Sequence, residues 1–323
     1  MGNSVKREKK LRSKRENWQA PVFAFTALFL IAFLFSDSFR TSRNLVNLLV
    51  QVAPLALLTI GQTFVILTGG IDLSIGSFVS LATTIAATTM AESSIAISLL
   101  LIYGVGLSIG LLNGFAVSYL QMNPFVTTLA TMVIVQGLTL HILPAPGGVV
   151  PYEYVKVIMY TRMLNMPVFV WLSIGVSIIM MIVLYKTKFG LNLYAVGGNK
   201  LAAVLSGVRV RQTLVLAYIM SSLMATTAGV MMVARISCGD PLVGQPYTLD
   251  SIGAAAVGGV SLAGGRGGLI GGLIGAFIIG SISNILNMLG VTPYWQFVLK
   301  SLIIVAAIGF AIRIKLMQGA REK

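Results

Sequence analysis

Asp72 is a carboxylate set in strongly apolar surroundings. It lies in GGIDLSIGS, residues 69–77, between LVNLLVQVAPLALLTIGQTFVILT and FVSLATTIAATTM. Two kinds of chemistry suit it there. Gly69 and Gly70 can end one helix, because glycine readily takes the left-handed conformation of a helix C-terminus. Asp72 or Ser74 can then accept from the free N–H groups at the start of the next helix, where the helix dipole also favours a carboxylate. The other chemistry is direct. An ionisable group among membrane-type segments marks a path for solute, ion or proton, and the residues alone leave both readings open.

The remaining polar groups in apolar segments are few. Thr127, Thr128, Thr131 and Gln136 share one segment; Asn284 and Asn287 share another, one turn apart on the face of Gly280; Asn113 adds a third amide site. Such side chains can brace helices against one another, and they would equally line a path for a hydroxyl-rich solute. Asp72, Asp250 and Lys300 are among the few charges near or within these segments. A single histidine, His141, excludes an H-E-x-x-H metal site, and GGRGGLIGGLIG lacks the lysine of a phosphate-gripping G-x-x-x-x-G-K-[ST] loop. No paired catalytic constellation is visible, so neither enzyme activity, nor a metal, nor a cofactor is expected. Cys238 is alone, so no intrachain disulfide can form.

The elements that must position these residues are membrane helices. The chain has 323 residues, 56% hydrophobic and 10% charged, with mean hydropathy +0.90. Soluble domains carry about 25% charged residues, so this composition describes an all-α integral membrane protein. A crossing needs about 20 apolar residues. Segments of that kind fall at 20–36, 45–67, 96–120, 124–143, 167–185, 214–234, 267–289 and 294–312. Shorter ones, rich in small residues, fall at 74–90 and 249–263, and together they predict about ten transmembrane helices. Residues 20–35 lack a small-residue cleavage pattern after them, so they are read as an uncleaved first span. The stretch 144–166 has room only for a short surface helix.

The net charge of +14 is concentrated outside these segments. Lys6, Arg7, Lys9, Lys10, Arg12, Lys14 and Arg15 mark 1–18 as a basic tail, and Arg313, Lys315, Arg321 and Lys323 mark 313–323 as another. Lys186, Lys188, Lys200, Arg209 and Arg211 share the 186–213 loop, which holds no acid. Such clusters beside apolar spans predict cytoplasmic termini and a cytoplasmic loop. Anionic membrane lipid is a sufficient partner for them, so no nucleic acid is expected. Residues 19–312 then form one transmembrane domain.

Small residues recur every fourth position, at Gly106, Gly110 and Gly114 and at Gly268, Gly272, Ala276 and Gly280. These rows permit close helix approach, within the chain or between two copies. GGVSLAGG at 258–265 echoes GGIDLSIG at 69–76, through duplication or similar use of broken helices. In the 186–213 loop, Gly197 and Gly198 permit a sharp turn and Asn199 can cap KLAAVLS. That helix would run to Ser206 and stop at Gly207. Ala202 and Ala203 would leave it slim enough to enter a groove.

In order, ILTGGIDLSIGS, AVGGNKLAAVLSGV (195–208) and ARISCGDPLVGQPYTLDSIGAAAVGGVSLAGGRGG (234–268) resemble the permease subunits of bacterial ABC importers for simple sugars. Those of ribose, galactose, arabinose and xylose are among them. The likeness runs from about residue 40 to 312 and leaves out the basic first seventeen residues. The resemblance implies a multi-pass subunit of the bacterial inner membrane that works as a pair, with a second copy or a paralogue. It also implies a cytoplasmic ABC ATPase, which carries the phosphate loop missing here, and a periplasmic sugar-binding protein. By the same resemblance, Gly197, Gly198, Asn199, Ala202, Ala203, Ser206 and Gly207 belong to the helix that couples to the ATPase. Another neutral solute, such as a nucleoside or a branched-chain amino acid, or a self-contained secondary transporter, is the alternative.

Overall fold

The computed structural model describes residues 19–35, 37–302, 305 and 309; both basic tails, 1–18 and 313–323, lie outside the described residues. The chain is a bundle of apolar helices. Its first half contains α1 (Gln19–Phe35), α2 (Ser42–Leu67), α3 (Ile75–Thr89), α4 (Ile95–Ser118) and α5 (Pro124–Ile142). After these comes a short helix α6 (Tyr152–Val155), continued as a π-helical turn Lys156–Tyr160. A small hairpin of β1 (Arg162–Met163) and β2 (Met166–Pro167) follows. Its turn residues Leu164 and Asn165 have φ of 51° and 62°, as a two-residue hairpin turn of matching twist requires.

The second half contains α7 (Val168–Lys186), the short pair α8 (Lys188–Gly198) and α9 (Lys200–Leu205), then α10 (Val210–Ile236), α11 (Gln245–Val257) and α12 (Leu269–Met288). Residues 293–302 are again helical. Six of these helices are long and apolar enough to cross a membrane. Of the most apolar window of α2, 89% is buried, against 22% for α4, α5 and α7. So α2 forms the axis and the other three form the flank.

The small-residue rows are used inside the chain. A Cβ on Gly114 would lie 2.7 Å from the Val215 Cα, and Gly106 and Gly110 press on Thr226 and Ser222, so that row seats α4 on α10. Gly272 faces Thr63 and Thr59 of α2, and Gly280 faces Val52. Without a hydrophobic drive between helices in lipid, this backbone proximity supplies the dispersion contact that holds them.

Two helices are only half-length, and each is entered through irregular backbone. Residues 68–74 lead into α3 and residues 237–244 lead into α11, and the two units cross. Unpaired backbone groups at such depth are costly, so hydroxyls close them. The Ser80 Oγ accepts from Gly244 N at 3.0 Å, and Thr83 Oγ1 donates to the Asp240 carbonyl at 3.1 Å. Thr128 Oγ1 accepts from Leu73 N at 3.1 Å and donates to the Ile71 carbonyl at 3.2 Å. α11 begins earlier than sequence predicts and ends earlier, with Pro246 in its first turn, where the missing N–H costs nothing.

The bundle has two distinct ends. At one, α8 and α9 sit with the 258–268 loop and the end of α2, since Tyr194 Oη donates to the Gly267 carbonyl at 2.8 Å. At the other, Gly147 and Gly239 exchange backbone bonds of 2.9 and 2.7 Å and Val149 N donates to the Ala87 carbonyl. Tyr154 Oη donates to the Val230 carbonyl there at 2.6 Å.

Candidate functional site

Asp72 occupies the break between α2 and α3. Gly69, at φ +82°, ends α2 in the left-handed conformation, as its place in the sequence leads one to expect. Of the two residues expected to cap α3, Asp72 accepts a backbone N–H at its start and Ser74 does not. Ser74 stands at the N-cap position of α3 without a side-chain capping bond, because its hydroxyl is engaged elsewhere. It donates to Asp72 Oδ1 at 2.5 Å and accepts from Asn113 Nδ2 at 3.1 Å. Asp72 Oδ1 also accepts from Ser74 N at 3.0 Å, and Oδ2 accepts from Ser221 Oγ of α10 at 2.7 Å.

Gln62 completes the enclosure. With its amide oriented to satisfy both groups, it donates to the Asp72 carbonyl at 3.0 Å and accepts from Asp72 N at 3.2 Å. Asp72 is 1% exposed and Gln62 fully buried. Among the described residues no cation pairs with this carboxylate. Asp72 therefore ties α2, the break, α3 and α10 together, and Asn113, which also accepts from Thr131 Oγ1 at 2.6 Å, extends the network to α4 and α5.

The other amides are engaged as braces too. Gln136 Nε2 donates to the Pro241 carbonyl at 2.7 Å, joining α5 to the irregular entry of α11. Asn284 exchanges bonds of 3.1 and 3.2 Å with Asn44 at the start of α2. Asn287, which is exposed, accepts from Gln296 Nε2 at 2.7 Å. None of these partners is close in sequence apart from Gln296, and each bond joins separate elements of the chain.

The glycine-flanked loop is more helical than its sequence suggests. Gly197 and Gly198 do not turn the chain but close α8. Asn199 caps α9 as expected, its Oδ1 accepting from Ala202 N at 2.9 Å. Ser206 follows the helix and Gly207, at φ +78°, stops it. Ala202 is exposed, whereas Ala203 is buried against Val196 and Leu214, so Ala203 belongs to the scaffold and not to an inserting face. The outward face consists of Leu201, Val204 and Leu205, which are 70%, 56% and 81% exposed.

Sequence reasoning named Asp250 and Lys300 but not their pairing. Lys300 Nζ lies 2.7 Å from Asp250 Oδ2, with side chains 9% and 13% exposed. They line a cleft of about 390 Å³ with Gln51, Arg235, Tyr247 and Gln296. Fifty residues separate the two charges, and no local pattern signals such a pair.

Comparison with known proteins finds relatives over most of the chain. A family model described as "branched-chain amino acid transport system / permease component" matches residues 44–308. The ribose import permease protein RbsC of Bacillus subtilis (strain 168) is 38% identical over 295 residues, covering 89% of this chain and 90% of that protein. The L-arabinose transport system permease protein AraH of Escherichia coli (strain K12) is 34% identical over 296 residues, covering 88% of each. The galactose/methyl galactoside import permease protein MglC of the same strain is 34% identical over 325 residues, covering 94% and 95%. No solved structure matches the chain significantly.

Proposed function

The chain belongs to the family of ABC-importer permease components, and from that premise we propose that it is the membrane-spanning subunit of an ATP-driven importer of a simple sugar. The observation that carries the choice of solute is likeness over some nine-tenths of the chain to permeases named for ribose and arabinose. The family description names branched-chain amino acids, which makes an amino acid the second solute class to test. The chain is not itself the enzyme: a separate ATPase subunit hydrolyses ATP.

The ATPase docks at the end carrying α8 and α9, and that end faces the cytoplasm. Support comes from Lys186, Lys188, Lys200, Arg209 and Arg211, gathered there without an acid, and from the exposed apolar face of α9. Ten crossings in the bacterial inner membrane, counting α3, α11 and the segment from 293, keep both termini on that side. A periplasmic sugar-binding protein delivers at the opposite end, and a second copy or a paralogue completes the permease. Anionic lipid surrounds the basic end.

Reconstitution tests the proposal. Proteoliposomes holding the permease, its ATPase and its binding protein should accumulate labelled ribose, arabinose or galactose only with internal ATP present at the ATPase. Accumulation of leucine or adenosine in place of any sugar would reassign the solute, and uptake without ATPase or ATP would overturn the importer reading.

A further inference from the structure

We infer that the cleft bounded by α2, α10, α11, α12 and residues 293–302 is where the solute rests in transit, a site for a small, hydroxyl-rich, uncharged molecule. The inference rests on the importer reading and deepens it. Asn113 and Asn284 are engaged in bonds between helices and Gln136 has donated to the Pro241 carbonyl, so a hydroxyl-rich solute needs further polar partners.

The cleft supplies them. Its volume of about 390 Å³ falls within the roughly 300–1,000 Å³ of small-molecule sites. Charges at membrane depth are costly and occur where they face a cavity or a partner, and here Asp250 and Lys300 do both. The pair uses only one carboxylate oxygen, Oδ2; Asp250 Oδ1 has no hydrogen-bond partner among the described residues and can accept from a hydroxyl. Gln296 spends its N–H groups on Asn287 and the Val291 carbonyl, which leaves its oxygen as a second acceptor. Lys300, Arg235 and Gln51 bring donors. A hydroxyl donates and accepts at once, so a lining of interleaved donors and acceptors suits a polyol, and the ring of Tyr247 offers a face to its C–H groups.

The position is also that of a waypoint. Arg235 lies in the last turn of α10 and Gln51 in the first half of α2, so the cleft lies toward the hairpin end, away from α8 and α9. α11 presents Tyr247 and Asp250 to it, while Thr248 on its other face donates to the Leu73 carbonyl at 3.5 Å. One helix thus separates the cleft from the Asp72 network, and movement of the break at Asp72 would be felt at the cleft wall.

The test uses the complete transporter in proteoliposomes with the sugar that the wild-type complex accumulates; absence of any sugar uptake by wild type would refute the importer reading before the cleft is addressed. In a Cys238→Ser background, Ser283→Cys places a thiol on the cleft wall for a bulky, charged thiol reagent. Labelling should cut uptake at least tenfold while the complex stays assembled by size-exclusion chromatography, and excess sugar should slow labelling. In parallel, Gln51→Leu should raise the KM for uptake by about tenfold, the loss of roughly one hydrogen bond, at an unchanged amount of complex. Full uptake after labelling, loss of uptake without protection by sugar, or an unaltered KM in Gln51→Leu would each overturn the inference.

Discussion

Gly197, next to last in α8, lies backbone to backbone against Gly265 of the 258–268 loop: a Cβ on Gly197 would stand 2.6 Å from the Gly265 nitrogen and 2.9 Å from the Leu67 carbonyl carbon. Gly265 N donates in turn to the Leu67 carbonyl at 3.0 Å. Gly264 presses on Gly69 in the same place. The end of α8, the end of α2 and the glycine loop meet at a junction that no side chain can enter. Through this contact the end of α8 abuts the backbone at the start of the Asp72 break.

Two adjacent glycines then separate structure from docking. Gly198 has open space where its side chain would be. Gly197→Leu should lower the folded amount in membranes, overpacking costing about 1–3 kcal/mol or more where backbone cannot yield. Gly198→Leu should fold normally. Membrane levels by immunoblot and fluorescence-detected size exclusion decide; equal levels for the two variants would remove the junction from the account.

The bonds of Asp72 predict how its variants behave. Asp72→Asn keeps an acceptor for Ser74 N and an amide that Ser221 Oγ can meet, so it should retain most uptake. Asp72→Ala leaves Ser74 N and Ser221 Oγ unpaired in a dry interior, at about 1–3 kcal/mol for each such group, and should lower the thermal midpoint of the purified protein. Ser221→Ala should show a smaller loss in the same assay. Tyr218, whose buried hydroxyl has no hydrogen-bond partner among the described residues, gives the opposite sign: Tyr218→Phe should leave stability unchanged or raised. A selective loss of uptake in Asp72→Asn at full protein level would make the charge itself the functional element.

The apolar segments and the left-handed Gly69 were legible because helix length and glycine placement are local signals. The partners of Asp72 were not, since Gln62 and Ser221 lie 10 residues before and 149 after it and only the fold joins them. α8 was hidden for a related reason. Gly190, Gly197 and Gly198 weaken helix propensity, yet Gly190 and Gly197 are there for contact with the backbone of Leu184, Leu67 and Gly265. The inward turn of Ala203 was equally invisible, because a six-residue helix has too few turns for its buried face to emerge as a period.

The face of α12 can be tested by bulk. Gly280 abuts the Val52 side chain of α2, and Asn284 on the same face bonds Asn44, while Ile282 is only half-buried. Gly280→Leu should therefore reduce both folded amount and uptake, and Ile282→Leu should change neither beyond twofold, a volume-conserving change costing under about 1.5 kcal/mol. Uptake normalised to expression is the measurement, and equal tolerance at both sites would argue against tight seating of α12 on α2.

The exposed face of α9 carries the last prediction. Leu201 and Leu205 are one helical turn apart, on one face by the i, i+4 rule, and are 70% and 81% exposed. They stand at the basic end of the bundle, beside Lys200, Arg209 and Arg211. Exposed apolar side chains on a capped helix at that end suit a protein partner, since solvent gains nothing from them. Residues central to such interfaces contribute 2 kcal/mol or more, equivalent to about 30-fold in affinity. The double change Leu201→Glu with Leu205→Glu should leave the permease in the membrane at normal level, because neither side chain supports the fold. Co-purification of the ATPase should fall by about 30-fold and uptake with it. Ala203→Glu provides the contrast: it forces a charge against Val196 and Leu214, so the permease itself should be lost. Full recovery of the ATPase with the double variant would place the docking surface elsewhere on the basic end.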